Sequence, residues 1–146
     1  MEQEPKICDG IILSDVAIRE AGTGKLSLIG CFANWNASSF PFPINPFFVT
    51  FLLTNIQGAP EQMHVTARIE DPQTGHVLTS VSGAMKSVGG GTQNRSDVTE
   101  IALPMPPFFV QSAGRYQLKI LINNEPVGLR TVCVRALTAG NVSAGD

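Results

Sequence analysis

The sequence contains few of the residues from which metal and redox sites are built. Only two histidines and three cysteines occur among its 146 residues. Cys8, Cys31 and Cys133 are odd in number and widely spaced, so they predict no disulfide framework. No pair of Cys or His has the short spacing typical of a zinc site. We therefore expect no metal and no cofactor, and we expect Cys31 and Cys133, which fall in predicted strands, to be buried and inert.

Charge is also scarce. Charged residues make up 15% of the chain, against about 25% in a typical soluble domain. The formal net charge is −2, and the scattered Lys and Arg residues do not form the basic patch that nucleic acid requires. Two explanations of the low charge stay open. Neutral polar residues fill the surface, or a second copy or another protein covers part of it.

Long apolar segments are absent as well. The longest, Phe47 to Leu53, is interrupted by Thr50 and is far shorter than the roughly 20 residues needed to span a bilayer. The first ten residues, MEQEPKICDG, lack the basic start and apolar stretch of a secretory signal. The sequence therefore predicts no membrane partner and a cytoplasmic location.

Alternation of apolar and polar residues marks the strands. It is clearest from Gln62 to Glu70, and the Asp71–Gly75 segment that follows has the Asp, Pro and Gly of a tight turn. A strand from His76 to Ser82 should complete this hairpin. His64 is expected on the exposed face of the first strand and His76 at the start of the second, so that the two could approach each other.

A second hairpin is predicted near the carboxyl end. Its strands are Arg115–Ile122 and Val127–Leu137, joined by a turn at Asn123–Pro126, with Arg130 and Arg135 facing solvent. Gly114 followed by Tyr116 resembles the tyrosine corner of immunoglobulin-like sandwiches, in which the Tyr hydroxyl binds backbone upstream.

Together these patterns predict one domain over residues 1–146, with flexible termini at 1–6 and 138–146. We find no helical periodicity. The fold class is all-β, with about eight mostly antiparallel strands in a two-sheet, immunoglobulin-like β-sandwich. The remaining predicted strands are Ile11–Ile18, Lys25–Phe32, Phe47–Asn55 and Asp97–Leu103.

Two segments, Phe40–Val49 and Leu103–Val110, both end in Pro-Phe-Phe-Val. Because proline cannot donate to a strand ladder, we expect them to cross between sheets or follow an edge while their rings close one end of the core. The phenylalanines beside these prolines also form a candidate contact surface for a partner. They are Phe40, Phe42, Phe47, Phe48, Phe108 and Phe109.

Two glycine-rich segments invite comparison with ligand-binding loops. The segment around Gly24 and Lys25 is not a phosphate-binding loop, because Arg19 and Leu26 stand where that motif needs Gly and Ser or Thr. We interpret it as a hairpin turn. The loop from Lys86 to Asp97 is a candidate ligand or anion site, and a plain connection is the alternative. Its candidate residues are Lys86, Gly89, Gly90, Gly91 and Arg95.

The chain resembles a known family in three segments: REAGTGKLSLIG, the following FPFPINPFF, and GRYQLKILINNEPV. They are similar to a family of small bacterial proteins known only as a domain of unknown function. The resemblance implies an all-β fold and a bacterial, cytoplasmic setting. It transfers no activity, substrate or site residue.

Three functions stay open. The first is a non-enzymatic interaction or structural module that binds a second copy or another protein through a strand edge or the Phe-Pro segments. The second is a protein that binds a small ligand or anion through residues 86–97 and the turn from Arg19 to Lys25. The third is an enzyme with an unrecognised site, for which Asp15 and Glu20 would be examined for burial or pairing with Arg19.

Overall fold

A computed structural model describes residues 6–54, 62–86 and 98–137. All regular structure within these ranges is β-strand. The eleven strands are β1 (Lys6–Arg19), β2 (Leu26–Phe32), β3 (Asn34–Ala37), β4 (Phe42–Ile44), β5 (Phe47–Thr54), β6 (Gln62–Glu70), β7 (Val77–Lys86), β8 (Thr99–Met105), β9 (Phe108–Val110), β10 (Gly114–Ile122) and β11 (Glu125–Ala136).

The strands form two sheets and one short ribbon. The first sheet has the order β2-β1-β5-β8, and the second has the order β3-β11-β10-β6-β7. Strands β4 and β9 pair with each other in what we call the end ribbon. Pairing is antiparallel except between β3 and β11, which run parallel. The fold is the predicted immunoglobulin-like β-sandwich.

The core fills the space between the sheets because each strand turns alternate side chains inward. Fully burying one large aliphatic or aromatic side chain contributes about 1.5–3 kcal/mol, so these rows supply most of the stabilisation. The buried rows are Phe47, Val49, Phe51 and Leu53 on β5, Met63, Val65, Ala67 and Ile69 on β6, and Tyr116, Leu118, Ile120 and Ile122 on β10.

Aromatic rings close one end of the sandwich. The ring centroid of Trp35 lies 5.4 Å from that of Phe32, 5.2 Å from Phe47 and 6.1 Å from Phe108. These tilted and edge-to-face contacts are the preferred geometry of aromatic pairs. The expectation that the phenylalanines plug an end of the core is confirmed for Phe47 and Phe108.

The two Pro-Phe-Phe-Val segments follow the same alternation. In each, the first Phe and the Val are buried and the second Phe points away from the core. The end ribbon brings the two Phe-Pro segments together, because Ile44 pairs with Phe108 and Pro43 pairs with Phe109. Its outward row therefore presents Pro43 and Phe109 side by side.

The predicted hairpin turns are present. Gly75 has φ +75° and donates its N–H to the Asp71 carbonyl at 2.8 Å, while Oδ1 of Asp71 accepts the Gln73 N–H at 2.9 Å. The carboxyl-end turn is tighter than predicted. Asn123 and Asn124 both have positive φ, 51° and 68°, as a two-residue type I′ loop requires.

The tyrosine corner is also confirmed. The hydroxyl of Tyr116 donates to the carbonyl oxygen of Ser112 at 2.7 Å. Because Tyr116 is a core residue, this bond fixes the loop before β10 to the sandwich.

Several strand boundaries differ from the prediction. Strand β6 matches its predicted bounds, whereas β11 begins at Glu125, so that Pro126 lies in a strand and not in the turn. The prediction that Arg130 faces solvent is wrong. Arg130 is only partly exposed, and its guanidinium donates to the carbonyl oxygen of Ile11, tying β11 to β1.

The distal half of the β1–β2 hairpin leaves the first sheet. Arg19 lies five residues beyond Ser14, which pairs with Phe48, yet its Nη2 donates to the backbone oxygen of Glu100 at 3.3 Å. Glu100 pairs with Leu52, near the opposite end of β5. The hairpin therefore folds back over the outer face of the first sheet.

We call this folded-back part the arm; it comprises residues 16–19 and 26–29 with the turn between them. Gly30, at φ +71°, marks the bend and lies against Asp15. At the tip, the Glu20 N–H donates to the Lys25 carbonyl at 2.7 Å, as a hairpin turn requires. Ser14 and Thr50 lie on the outer face and are nevertheless buried, as a hairpin folded over this face requires.

Candidate functional site

The arm presents an apolar surface to solvent. Val16 pairs with Ile29, so the two side chains share a face, and Ile18 follows two residues along the same strand. Their exposed fractions are 38%, 55% and 46% respectively. We call these three residues the arm patch. The exposed part of these apolar side chains gains no burial free energy on folding, and the patch is therefore a candidate contact surface.

The arm patch adjoins an edge strand without the usual protective features. Strand β2 is an outer strand of the first sheet, and its sequence LSLIGCF contains no charge and no proline. The opposite edge strand, β8, carries Glu100 and Pro104, two residue types that block further pairing. The prediction that Cys31 is buried is wrong, because Cys31 is exposed on β2; Cys133 is partly buried.

The outer face of the second sheet holds a buried carboxylate between two cations. Oε2 of Glu70 lies 3.0 Å from Nε of Arg68, and Oε1 is paired with Nζ of Lys119. The Glu70 side chain is 8% exposed and the cations are 35% and 31% exposed. The hydrogen bond from Lys119 lowers the pKa of Glu70 despite the opposing effect of burial. The cluster is a structural ion pair on the sheet face.

The six phenylalanines predicted to form a contact surface lie in different environments. Phe47 and Phe108 belong to the core, and Phe40 and Phe42 are partly buried against it. Phe48 is partly exposed on the outer face of the first sheet. Phe109 is 60% exposed. Of the six, Phe109 offers by far the largest surface to a partner.

The predicted ligand loop lies outside the described residues. Lys86 ends β7, while its side chain and residues Gly89, Gly90, Gly91 and Arg95 are beyond the part that the structure describes. That site therefore stays a prediction. Arg19, a second cation that this hypothesis uses, is already engaged, because its Nη1 donates to the Gly24 carbonyl at 2.9 Å and lies 3.5 Å from Oε1 of Glu100.

The other titratable residues singled out in the sequence are not brought together. His64 pairs with Ala84, and His76 lies at the turn end of the same hairpin, just before β7. His76 is therefore eight positions from the partner of His64, roughly 26 Å at the usual rise per residue. The expectation that they approach each other is wrong. Asp15 and Glu20 are exposed, and Arg19 pairs with Glu100 in place of either.

A groove at one end of the sandwich was not predicted. It has a volume of about 440 Å³ and lies between the β6–β7 turn and the segment from Phe109 to Ser112. Leu78 and Tyr116 contribute apolar walls. We call it the turn groove. The sequence predicted the turn at Asp71 and the tyrosine corner as separate local structures. No pattern in the sequence indicated that these two structures face each other across a groove.

Among residues 6–54, 62–86 and 98–137, no three His, Cys, Asp or Glu side chains are placed to hold a metal ion. The same ranges contain no helix with the length and apolarity needed to cross a membrane.

The family resemblance is confirmed by comparison with family models. Residues 9–135 match the Family of unknown function (DUF6941). The chain therefore belongs to this family. A comparison with curated proteins finds no match.

Solved structures are similar to this chain at low identity. The chain is similar to alkylpurine DNA glycosylase AlkC of Pseudomonas fluorescens, bound to DNA containing an abasic site analog, with 17% identity and a TM-score of 0.46 over 93% of this chain. The chain spans only 32% of that protein. An immunoglobulin-like protein from Pseudomonas aeruginosa is 13% identical with a TM-score of 0.42, covering 92% of this chain and 98% of its own. None of these likenesses bears on activity.

Proposed function

We propose that this protein is a non-enzymatic interaction module that self-associates through the free edge of β2. The observation that carries the proposal is the uncharged edge strand next to the exposed arm patch. In this arrangement two copies of β2 pair antiparallel across a twofold axis, so that the β1–β2 hairpins of both copies form one continuous ribbon.

The backbone of β2 supports such pairing. An edge strand presents unpaired N–H and C=O groups, and antiparallel addition of another strand satisfies them. Self-pairing places each strand opposite an identical one, where like charges would be destabilising. Because Leu26–Phe32 contains no charged residue, no such repulsion opposes the association.

The arm patch adds the apolar area that backbone pairing alone lacks. Ile29 lies on β2 itself, and Val16 is its cross-strand neighbour. A dimer across β2 brings the patches of both copies to the same seam. Burial of apolar surface contributes about 25 cal/mol per Å², so the seam gains free energy from both patches.

Light scattering coupled to size exclusion, at two protein concentrations, tests this proposal. We expect a dimer, and we expect Ile29→Lys to convert it to a monomer because the substitution places two like charges at the seam. Leu129→Lys is the matched control, since Leu129 is 57% exposed on β11 of the other sheet. A wild-type monomer at both concentrations would contradict the proposal.

Hydrogen exchange separates β2 from the Phe-Pro end as the contact surface. We expect backbone amides of β2 to exchange more slowly as protein concentration rises. If Phe109→Asp dissociates the dimer and Ile29→Lys does not, the interface is at the end ribbon and the proposal for β2 is wrong.

The proposed setting is the bacterial cytoplasm. The free, exposed thiol of Cys31 supports a reducing compartment, because unpaired exposed cysteines are prone to oxidation elsewhere.

A further inference from the structure

We propose that the turn groove binds a neutral pyranose sugar through stacking on Phe109 and hydrogen bonds from the β6–β7 turn. The groove and the β2 edge use different elements, so this inference is independent of the proposed self-association. Its volume of about 440 Å³ lies within the range of small-ligand sites.

The apolar part of the groove is an exposed aromatic ring. Phe109 is 60% exposed, although its neighbour Phe108 is buried in the aromatic cluster. Leu78 and Tyr116 extend the apolar wall next to it. A pyranose ring has one face made largely of C–H groups, and such a face packs on the π surface of an aromatic ring.

The polar part selects for hydroxyl groups. Thr74, His76, Gln111 and Ser112 line the groove, and each of these side chains contains both donor and acceptor capacity. A ligand rich in hydroxyls, which also donate and accept, satisfies such a mixed set. An ammonium ligand would leave the donors unmatched.

The charge of the lining excludes anionic ligands. Asp71 is the acidic residue of the groove, and no Lys or Arg is among its described lining residues. Oδ1 of Asp71 accepts the Gln73 N–H, which leaves Oδ2 to accept hydrogen bonds from a ligand. Carboxylates accept strong hydrogen bonds from hydroxyl groups.

Both walls are held in place before any ligand binds. The turn wall is fixed by the bonds from the Gly75 N–H to the Asp71 carbonyl and from the Asp71 N–H to the His76 carbonyl, at 2.8 and 2.9 Å. The opposite wall is fixed by the tyrosine corner at Ser112. Because little ordering remains to be done, a small ligand binds with a reduced entropic cost.

A titration followed by amide chemical shifts tests the proposal. The probes are the methyl glycosides of glucose, galactose, mannose, xylose, fucose and N-acetylglucosamine, with tetramethylammonium chloride and inorganic phosphate as comparison ligands. We expect at least one glycoside to change the chemical shifts of backbone amides within residues 71–78 and 109–116. The chemical shifts of amides outside these two segments should not change. Neither tetramethylammonium nor phosphate should do so.

Phe109→Ala should weaken binding of that glycoside about tenfold, the equivalent of one aromatic stacking contact, while Phe109→Trp should preserve it. Leu129→Ala is the control with a similarly exposed apolar side chain. Glycoside shifts that persist in Phe109→Ala, shifts that fall outside the groove, or a response only to tetramethylammonium or phosphate would each overturn the proposal. So would the absence of a response to every glycoside.

Discussion

The outer faces of the two sheets differ in composition. On the second sheet, Lys119 lies opposite Arg68 and Gln117 lies opposite Glu70, a row of charged and polar pairs suited to water. On the first sheet, Thr50 lies between Ile12 and Ala102, and the arm folds over this face. Among the described residues, charged side chains line the centre of the second sheet's outer face, whereas the first sheet has uncharged residues at the centre of its outer face and the Arg19–Glu100 pair where the arm reaches β8.

The largest expected effect tests the charged face. Glu70→Gln should lower the free energy of unfolding by about 2–3 kcal/mol, because Arg68 and Lys119 would then face each other without their shared carboxylate. Both cations are partly exposed to water, so the loss should be smaller than for a fully buried ion pair. Urea denaturation measures it. The matched control is Glu100→Gln, whose pair with Arg19 is 43–49% exposed and should cost less than about 1 kcal/mol. Equal losses would remove the distinction between the faces.

The same carboxylate predicts how stability depends on pH. The pKa of Glu70 is lowered on folding from its ordinary value of 4.5. Its contribution is therefore complete above pH 4.5 and is lost as the pH falls further, through the folded-state pKa. Glu70→Gln should flatten this acid limb of the stability curve. An unchanged acid limb in the variant would show that other groups control it.

The bend of the arm comes next in expected size. Gly30→Ala should lower the free energy of unfolding by about 1–2 kcal/mol, because its φ is +71° and a Cβ would lie 2.5 Å from Oδ2 of Asp15. Gly22→Ala is the control, since its φ is also positive, +87°, with no atom within 4 Å of the added Cβ. The difference in thermal stability between the two variants measures the effect of the steric contact with Asp15, because the strain of a positive φ is common to both. If Gly22→Ala is equally destabilising, the contact with Asp15 contributes nothing.

The smallest expected change in stability is at the arm patch. Ile29→Lys should alter the free energy of unfolding of the monomer by less than about 0.5 kcal/mol, because an exposed side chain contributes little to the fold. Denaturation at low protein concentration measures this value apart from association. A loss above 1 kcal/mol would show that Ile29 supports the arm and is not a free contact residue.

Local patterns in the sequence predicted local structure well. Alternation gave the bounds of β6, the Asp-Pro and Gly residues marked the Asp71–Gly75 turn, and the spacing of Gly114 and Tyr116 predicted the tyrosine corner. Each of these features depends on neighbours within a few residues. The chemistry of the turn residues and the pleat of a strand is enough to specify them.

Features that depend on distant residues were missed. The fold-back of the arm depends on the contact between Arg19 and Glu100, which are 81 positions apart in the sequence. Strands β3 and β9 were missed because they are too short to show alternation of apolar and polar residues. Cys31 was expected to be buried because it falls in a predicted strand. Its exposure follows from the edge position of β2, which depends on strand order and has no local signature. The turn groove was missed for the same reason, because its two walls, the β6–β7 turn and the segment from Phe109 to Ser112, are far apart in the sequence.

The parallel pairing of β3 with β11 has a consequence for the time at which the fold can form. Strand β11 lies between β3 and β10, so Asn34–Ala37 have no partner until Cys133–Ala136 have been synthesised. The second sheet is thus completed only after β11, the last of the described strands, has been synthesised. Such a large sequence separation between contacting residues is typical of domains that fold in milliseconds to seconds. Between the synthesis of β3 and that of β11, the nascent chain must keep its early strands from pairing with other chains.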